Sequence, residues 1–443
     1  MNFETLASLL AQNEHKTLFL RFNPYVPDFT FRESECELQI YFPDKQVVQI
    51  ALKNDTIPLI ISMLKISLFI KDNKVVVWDW KSFASFILGK TGQQIKIDAS
   101  IIDLMVIESF NGIVKNVPES YVEALNRLRN LISNGYWAET ENIYKQIYLP
   151  LMTEVLPAME TIGIIDLDAG SKVHAHYQIN GQENGRLRCY GAYKTNFNPH
   201  TIGPEAKKLL KPIDHDSLFM SFDFKGMEVF VLAHLSKDER LQALCQTDDI
   251  YLSLAKMLFG SESDKNNREL TKKCFLPVIY GQSSRSLSQR CGIAVDVAER
   301  VVEQISSLFP ASLSFVADYE QQVKKDGFAK DVFGKRRTSF ESGKEYLARN
   351  FAVQSPAATI CLEKLIKLHY CLLNLNQFLK HKAQIAYTVH DGYVVYITKE
   401  NWKQVLKKSV EVLTSESEIS PGLKLKVSCK GGRNLDDLKY IKK

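Results

Sequence analysis

The segment Ser221-Phe-Asp-Phe-Lys-Gly-Met-Glu-Val-Phe-Val-Leu-Ala-His-Leu-Ser236 constrains this chain more than any other. Leu218, Phe219, Met220 and Phe222 read as a short buried strand, and Val229, Val231, Leu232 and Leu235 as the apolar face of a helix. Strand passes to helix through one acid, Asp223, and a second acid, Glu228, follows five residues later. Such a junction belongs to a mixed α/β (α+β) fold. A carboxylate at a strand terminus sits on rigid backbone, where a metal-dependent site would place one. An Asp there also caps an ordinary strand-to-helix turn, and the segment by itself leaves both readings open.

Two later segments add chemistry. Arg268-Glu-Leu-Thr-Lys-Lys-Cys-Phe-Leu-Pro-Val-Ile-Tyr-Gly281, if helical, brings Arg268, Lys272, Leu276 or Phe275, and Tyr280 toward one face. Two cations and a ring in one stripe suit a nucleoside triphosphate, although a basic amphipathic helix is commonly just a solvated face. Pro277 removes an amide donor, which predicts either a bent helix or one that begins a turn later. Residues 385–396 then read as two β-rich runs around a His-Asp-Gly turn with Asp391 at its tip. Asp-Gly is also a common hairpin turn that needs no catalysis.

In this order the three segments resemble motifs A, B and C of the family A DNA polymerases, the group of bacterial DNA polymerase I and many phage replicases. The resemblance covers roughly residues 147–440. It implies a right-hand palm and fingers, with Asp223, Asp391 and Lys272 as catalytic residues. Asp223 and Asp391 would anchor two Mg²⁺ ions, as suits a cation that takes few carboxylates plus phosphate oxygens. Arg268, Lys272, Leu276, Tyr280 and Tyr251 would line the incoming dNTP. Glu228 would exclude a 2′-hydroxyl and so favour deoxynucleotides. The chain departs from the usual pattern at Gly226, Phe230, Tyr251, Leu276, Pro277 and Gly392, so selectivity at the sugar is expected to differ from the family norm.

Further segments match in order. Asn184-Gly-Arg-Leu-Arg188 and Asn196-Phe-Asn-Pro199 resemble stretches upstream of motif A, with Arg186 expected near primer or template. Residues 327–337 resemble a template-backbone loop, giving Lys335, Arg336 and Arg337 as phosphate contacts. Asn350 and Gln354 match a minor-groove pair, His390 joins the expected DNA-binding set, and residues 424–438 resemble the final strand and turn.

Residues 1–120, where the family often carries a ribonuclease-H-like 3′–5′ exonuclease domain, show β-rich stretches at 17–22, 37–42 and 75–80 and helical ones at 57–64 and 80–88. The first of these strands, Thr17-Leu-Phe-Leu-Arg-Phe22, lacks the acids that metal-dependent hydrolysis needs there. Asp79 and Asp103 remain, as isolated acids expected at the surface, so the domain is expected to be exonuclease-like and inactive. Residues 121–180 are expected to hold a reduced thumb, since only Leu167 to Tyr177 stands where the family inserts long helices. Palm and fingers fill 181–443, the fingers at about 240–340.

The balance of 56 basic to 51 acidic residues, net +5, is too modest to imply nucleic acid by itself. The eight cysteines form no Cys-x-x-Cys pair, and no apolar run approaches a membrane span. With no signal pattern, a cytoplasmic enzyme is expected, working on primer-template DNA and dNTPs, with no membrane and a possible processivity factor or other replication protein as partner. The competing readings are an RNA-synthesising, primase-like relative, against which Glu228 argues, and an inactive polymerase-like DNA-binding subunit, which has no need of Asp223, Lys272 and Asp391 together.

Overall fold

The computed structural model describes residues 12, 17–23, 37–44, 46–52, 57, 75–94, 101–113, 116–166, 171–191, 198–212, 216–260, 264–379 and 382–441. The expected helix 57–64, beyond Ile57, and residues 196–197 of the Asn-Phe-Asn-Pro stretch lie outside them. The chain forms two compact units: Met1–Asp223 with Cys361–Leu413 and Val427–Lys443, and Phe224–Ile360 with Thr414–Lys426.

The first unit opens with a five-stranded sheet in the order β3-β2-β1-β4-β5. β1 (Leu18–Asn23) pairs antiparallel with β2 (Glu37–Tyr41) and parallel with β4 (Val75–Trp78), while β3 (Val47–Ala51) and β5 (Ile101–Asp103) form the edges. Val75-Val-Val-Trp78 is buried throughout, as a parallel strand covered on both faces requires. Helix α1 (Trp80–Thr91) starts at Asp79, whose carboxylate accepts the Ser82 amide, and α2 (Leu104–Phe110) starts at Asp103, which accepts the amides of Met105 and Val106.

These two acids correct the expectation of surface residues: Asp79 is 4% and Asp103 0% exposed. Asp103 also receives the amides of Asp79 and Trp80 at 3.3 and 2.7 Å. Helix N-termini present amides that need acceptors, and here the acceptors lie inside the sheet.

Helices α3 (Tyr121–Ser133) and α4 (Tyr136–Ile143) follow, then two π-helical turns, Tyr144–Tyr148 and Leu151–Val155, before α5 (Leu156–Ile162). Pro150 and Pro157 lie in this run. A proline ring crowds the carbonyl four residues back, and the wider turn relieves it. A buried ion pair, Lys81 Nζ to Glu160 Oε1 at 2.9 Å, ties α1 to α5. Beyond α5, β6 (Ile164–Asp166) pairs with β7 (Ser171–Val173), and β8 (Ala175–Gln178) with β9 (Arg188–Gly191). Helix α6 (Pro204–Leu209) and β10 (Leu210–Lys211) lead to β11 (Ser217–Phe224).

The second unit is mainly helical: α7 (Met227–Ser236), α8 (Glu239–Gln246), α9 (Ile250–Phe259), α10 (Lys265–Ile279), α11 (Ser284–Cys291), α12 (Val295–Leu308) and α13 (Pro310–Asp326). A small hairpin, β12 (Ala329–Lys330) with β13 (Arg336–Arg337), precedes the long α14 (Leu347–Leu375). The first unit resumes with β14 (Gln384–Val389), β15 (Gly392–Thr398), α15 (Trp402–Thr414), β16 (Val427–Gly432) and β17 (Lys439–Tyr440). Its second five-stranded sheet runs β14-β15-β11-β16-β17.

Candidate active site

Two acids meet on the second sheet. β11 buries Phe219, Met220, Phe222 and Phe224, and Asp223 is exposed one residue before its end. Asp223 is in register with Gly392 of β15, the residue after Asp391. His390 and Asp391 form a two-residue loop, since Val389 pairs with Gly392, and His390 takes φ 52°. The strand-to-helix and hairpin readings of these segments both hold. A Cβ at Gly392 would lie 3.1 Å from the Phe222 carbonyl and 3.4 Å from Asp223 Oδ1, so the Asp223 carboxylate rests directly against the Asp391 loop. Ser428 Oγ on β16 donates to the Asp223 carbonyl at 3.2 Å.

Arg186 belongs to the same neighbourhood. The buried Cys361 thiol is pushed up to about 12 by desolvation, and among the charges acting on it Asp391 and Asp223 raise it while Arg186 lowers it. His390 stacks 5.1 Å from His200, whose ring is held below its ordinary range by burial and by His390.

The second unit carries the expected nucleotide residues. Gly226 takes φ 63° at the start of α7, and a Cβ there would meet Tyr251 Oη at 3.7 Å. Tyr280 donates its hydroxyl to Glu228 Oε2 at 2.8 Å. Along α10, Thr271, Cys274, Phe275, Val278 and Ile279 are buried, leaving Arg268, Lys272, Leu276 and Tyr280 on the other side. The stripe expected from four-residue spacing is therefore present, with Leu276 and not Phe275 on it.

Of the two outcomes expected of Pro277, the late helix start does not occur. Asp264 caps α10 and the helix runs unbroken from Lys265, so it does not begin a turn late. Pro277 lies inside the helix, two residues before its end, and removes the amide that would donate to the Lys273 carbonyl. Arg268 is engaged by Asp249 Oδ2 at 2.6 Å and by Glu269, whereas Lys272 is exposed and makes no ion pair among the described residues.

Lys335 is a correction. It is 2% exposed, too buried to serve as a phosphate contact, and its charge acts on the buried Asp331. Burial lifts the Asp331 carboxyl, and Lys335 and the Ser355 hydroxyl, bonded at 2.6 Å, work against that. Arg336 and Arg337 remain half-buried on β13, stacked over Phe328 and Phe340 at 4.7 Å each. Asn350 and Gln354 lie four apart on α14, both half-buried.

The class follows from the sequence taken with these elements: residues 139–437 match the profile of DNA polymerase family A, to which this chain belongs. DNA polymerase I of Chloroflexus aurantiacus is 25% identical over 256 residues, 55% of this chain and 27% of that protein. The thermostable DNA polymerase I of Thermus aquaticus is 27% identical over 270 residues, 58% of this chain and 32% of that protein. The chain thus spans under a third of the length of these relatives. The fold is similar to that of the POL domain of Pol1 from M. smegmatis, a structure in complex with DNA primer-template and dNTP, with TM-score 0.77, 16% identity, and coverage of 98% of this chain and 99% of that one.

Sequence reasoning missed Tyr177, Cys361 and Tyr393, which hold the Asp391 hairpin. Tyr177 lies in the polar strand Ala175–Gln178, where nothing local marks it.

Proposed function

We propose that this chain is a template-directed DNA polymerase adding dNTPs to a primer 3′-hydroxyl. The observation that carries the reading is the register of Asp223 with Gly392, the residue after Asp391, which runs the Asp223 strand alongside the Asp391 hairpin. Their hard oxygen donors fit Mg²⁺, which needs only one or two carboxylates when substrate phosphates complete its ligand set. Bound there as two ions, Mg²⁺ would activate the primer hydroxyl and neutralise charge on the phosphates.

The chain's own residues do the remaining work. Lys272 and Arg268 hold the triphosphate, Arg268 exchanging Asp249 for phosphate oxygens of similar charge. Tyr280 keeps Glu228 extended against the sugar, so that a 2′-hydroxyl is excluded, with Tyr251 and Leu276 beside the nucleotide. Arg186, His390, Asn350, Gln354, Arg336 and Arg337 contact primer-template DNA. Phosphoryl transfer leaves little covalent chemistry to the protein, so positioning and charge carry the rate.

Several finer readings accompany this one. The sheet of residues 18–103 is exonuclease-like without catalytic acids on β1, so synthesis proceeds without proofreading. Short paired strands in place of long thumb helices give weak processivity unless a partner protein supplies the grip. Among the described residues no helix is long and apolar enough to cross a membrane, and we place the enzyme in the cytoplasm of a bacterial or phage-infected cell. Extension of a primed template with dNTPs and Mg²⁺, set against NTPs, tests the reading. Absence of extension, or preference for NTPs, would reject it.

A further inference from the structure

The hairpin that carries Asp391 is gripped by two buried tyrosine hydroxyls. Tyr177 on β8, 2% exposed, meets the main chain of Thr388: its hydroxyl accepts the Thr388 amide at 3.0 Å and donates to the Thr388 carbonyl at 3.0 Å. β14 is the outermost strand of its sheet, and an outermost strand leaves amides and carbonyls open on one side. One hydroxyl fills both groups at Thr388, three residues before Asp391.

Tyr393, 1% exposed on β15, acts from the other strand. Its hydroxyl donates to the Cys361 carbonyl of α14 at 2.7 Å. That proton being committed, the Cys361 thiol is the donor toward the Tyr393 hydroxyl at 3.0 Å or the His390 carbonyl at 3.6 Å. Between the two grips, Thr388 Oγ1 donates to the Gly392 carbonyl at 2.9 Å across the neck of the loop. His390, at φ 52°, is thereby held in a conformation that L-residues adopt only when their surroundings impose it.

We infer that Tyr177 and Tyr393 are positioning residues for Asp391, fixing the backbone of its two-residue loop so that the carboxylate stays against Asp223. The inference rests on the metal role proposed for Asp391. A carboxylate on a short loop can hold a cation only as well as its supporting residues hold the loop. Gly392 contributes no side chain to that support, so it falls to groups outside the loop.

Tyr177→Phe and Tyr393→Phe each delete one hydroxyl and keep the ring, and the test reads metal-free protein first. Amide hydrogen exchange in peptides covering residues 389–393 is expected to quicken roughly tenfold, the scale of one lost hydrogen bond, with peptides elsewhere unchanged. Mn²⁺ binding, followed by electron paramagnetic resonance, is expected to weaken severalfold, and kcat to fall while the KM for dNTP holds. Exchange and Mn²⁺ binding equal to the wild type would overturn the inference, as would a loss matched by exchange throughout the protein. Should the wild type extend no primer, yet Mn²⁺ binding fall in both variants and in Asp391→Asn, the polymerase reading fails and the positioning role stands.

Discussion

Tyr280 donates its hydroxyl to the Glu228 carboxylate at 2.8 Å, joining the end of α10 to the start of α7. A hydrogen bond to a charged group contributes about 1.5–3 kcal/mol. Tyr280→Phe removes that bond from Glu228, and the preference for dNTP over NTP, measured as a ratio of kcat/KM, is expected to fall by roughly tenfold or more. Glu228→Ala should lower it further. An unchanged ratio in both variants would remove Glu228 from the sugar site.

Gly392 is required by space and not by backbone conformation. Its Cβ would stand 3.1 Å from the Phe222 carbonyl, so that strand oxygen would have to give by a few tenths of an ångström, and 3.4 Å from Asp223 Oδ1. Gly392→Ala is expected to cut primer extension about tenfold by displacing Asp223. Gly392→Glu, which supplies the acid usual in motif C, should do no better than Gly392→Ala. Wild-type rates from either variant would show that the carboxylates tolerate a side chain between them.

Lys272 and Lys335 should part company when replaced. Lys272 is exposed, so Lys272→Ala should change unfolding free energy by no more than about 0.5 kcal/mol while extension falls by roughly 100-fold. Lys335→Ala leaves Asp331 buried beside no cation and should cost about 3 kcal/mol. Arg336→Ala should flatten the salt dependence of DNA binding by about 0.9 in log-log slope, the signature of one lost phosphate contact. Chemical denaturation and salt titration separate the three.

Acid sensitivity follows from Glu160. Burial alone would raise its carboxyl, but Lys81 and His176 outweigh it and hold the group at about 2, below its ordinary 4.5. Because the folded value is depressed, the stability it contributes is present above about pH 4.5 and is lost as pH falls toward 2. That contribution is about 3 kcal/mol at neutral pH. Glu160→Gln should therefore destabilise strongly at pH 7 and much less near pH 3. An equal penalty at both values would show that Glu160 is not ionised in the folded protein.

The parts of the site legible in sequence were those written in local pattern. The apolar strand ending at Asp223, the stripe through Arg268, Lys272 and Tyr280, and the hairpin around Asp391 each depend on neighbours within a dozen residues. What escaped depends on distant partners. Asp103 looked solitary because two of the amides it accepts, those of Asp79 and Trp80, belong to a helix start more than twenty residues away. Lys335 looked like a surface cation because nothing local marks Asp331 and Ser355 as its buried company. Tyr177 serves a main-chain site 211 residues away, which no periodicity reports.

The pairing of Asp223 with Asp391 is tested most directly by single-turnover primer extension in Mg²⁺ with wild type, Asp223→Asn and Asp391→Asn, each shown by circular dichroism to be folded. Each Asn is close in size to Asp and removes only the charge. Both variants are expected to lose at least 100-fold in rate while still binding primer-template DNA. Extension at the wild-type rate by either variant would contradict the assignment of that carboxylate to the metal site.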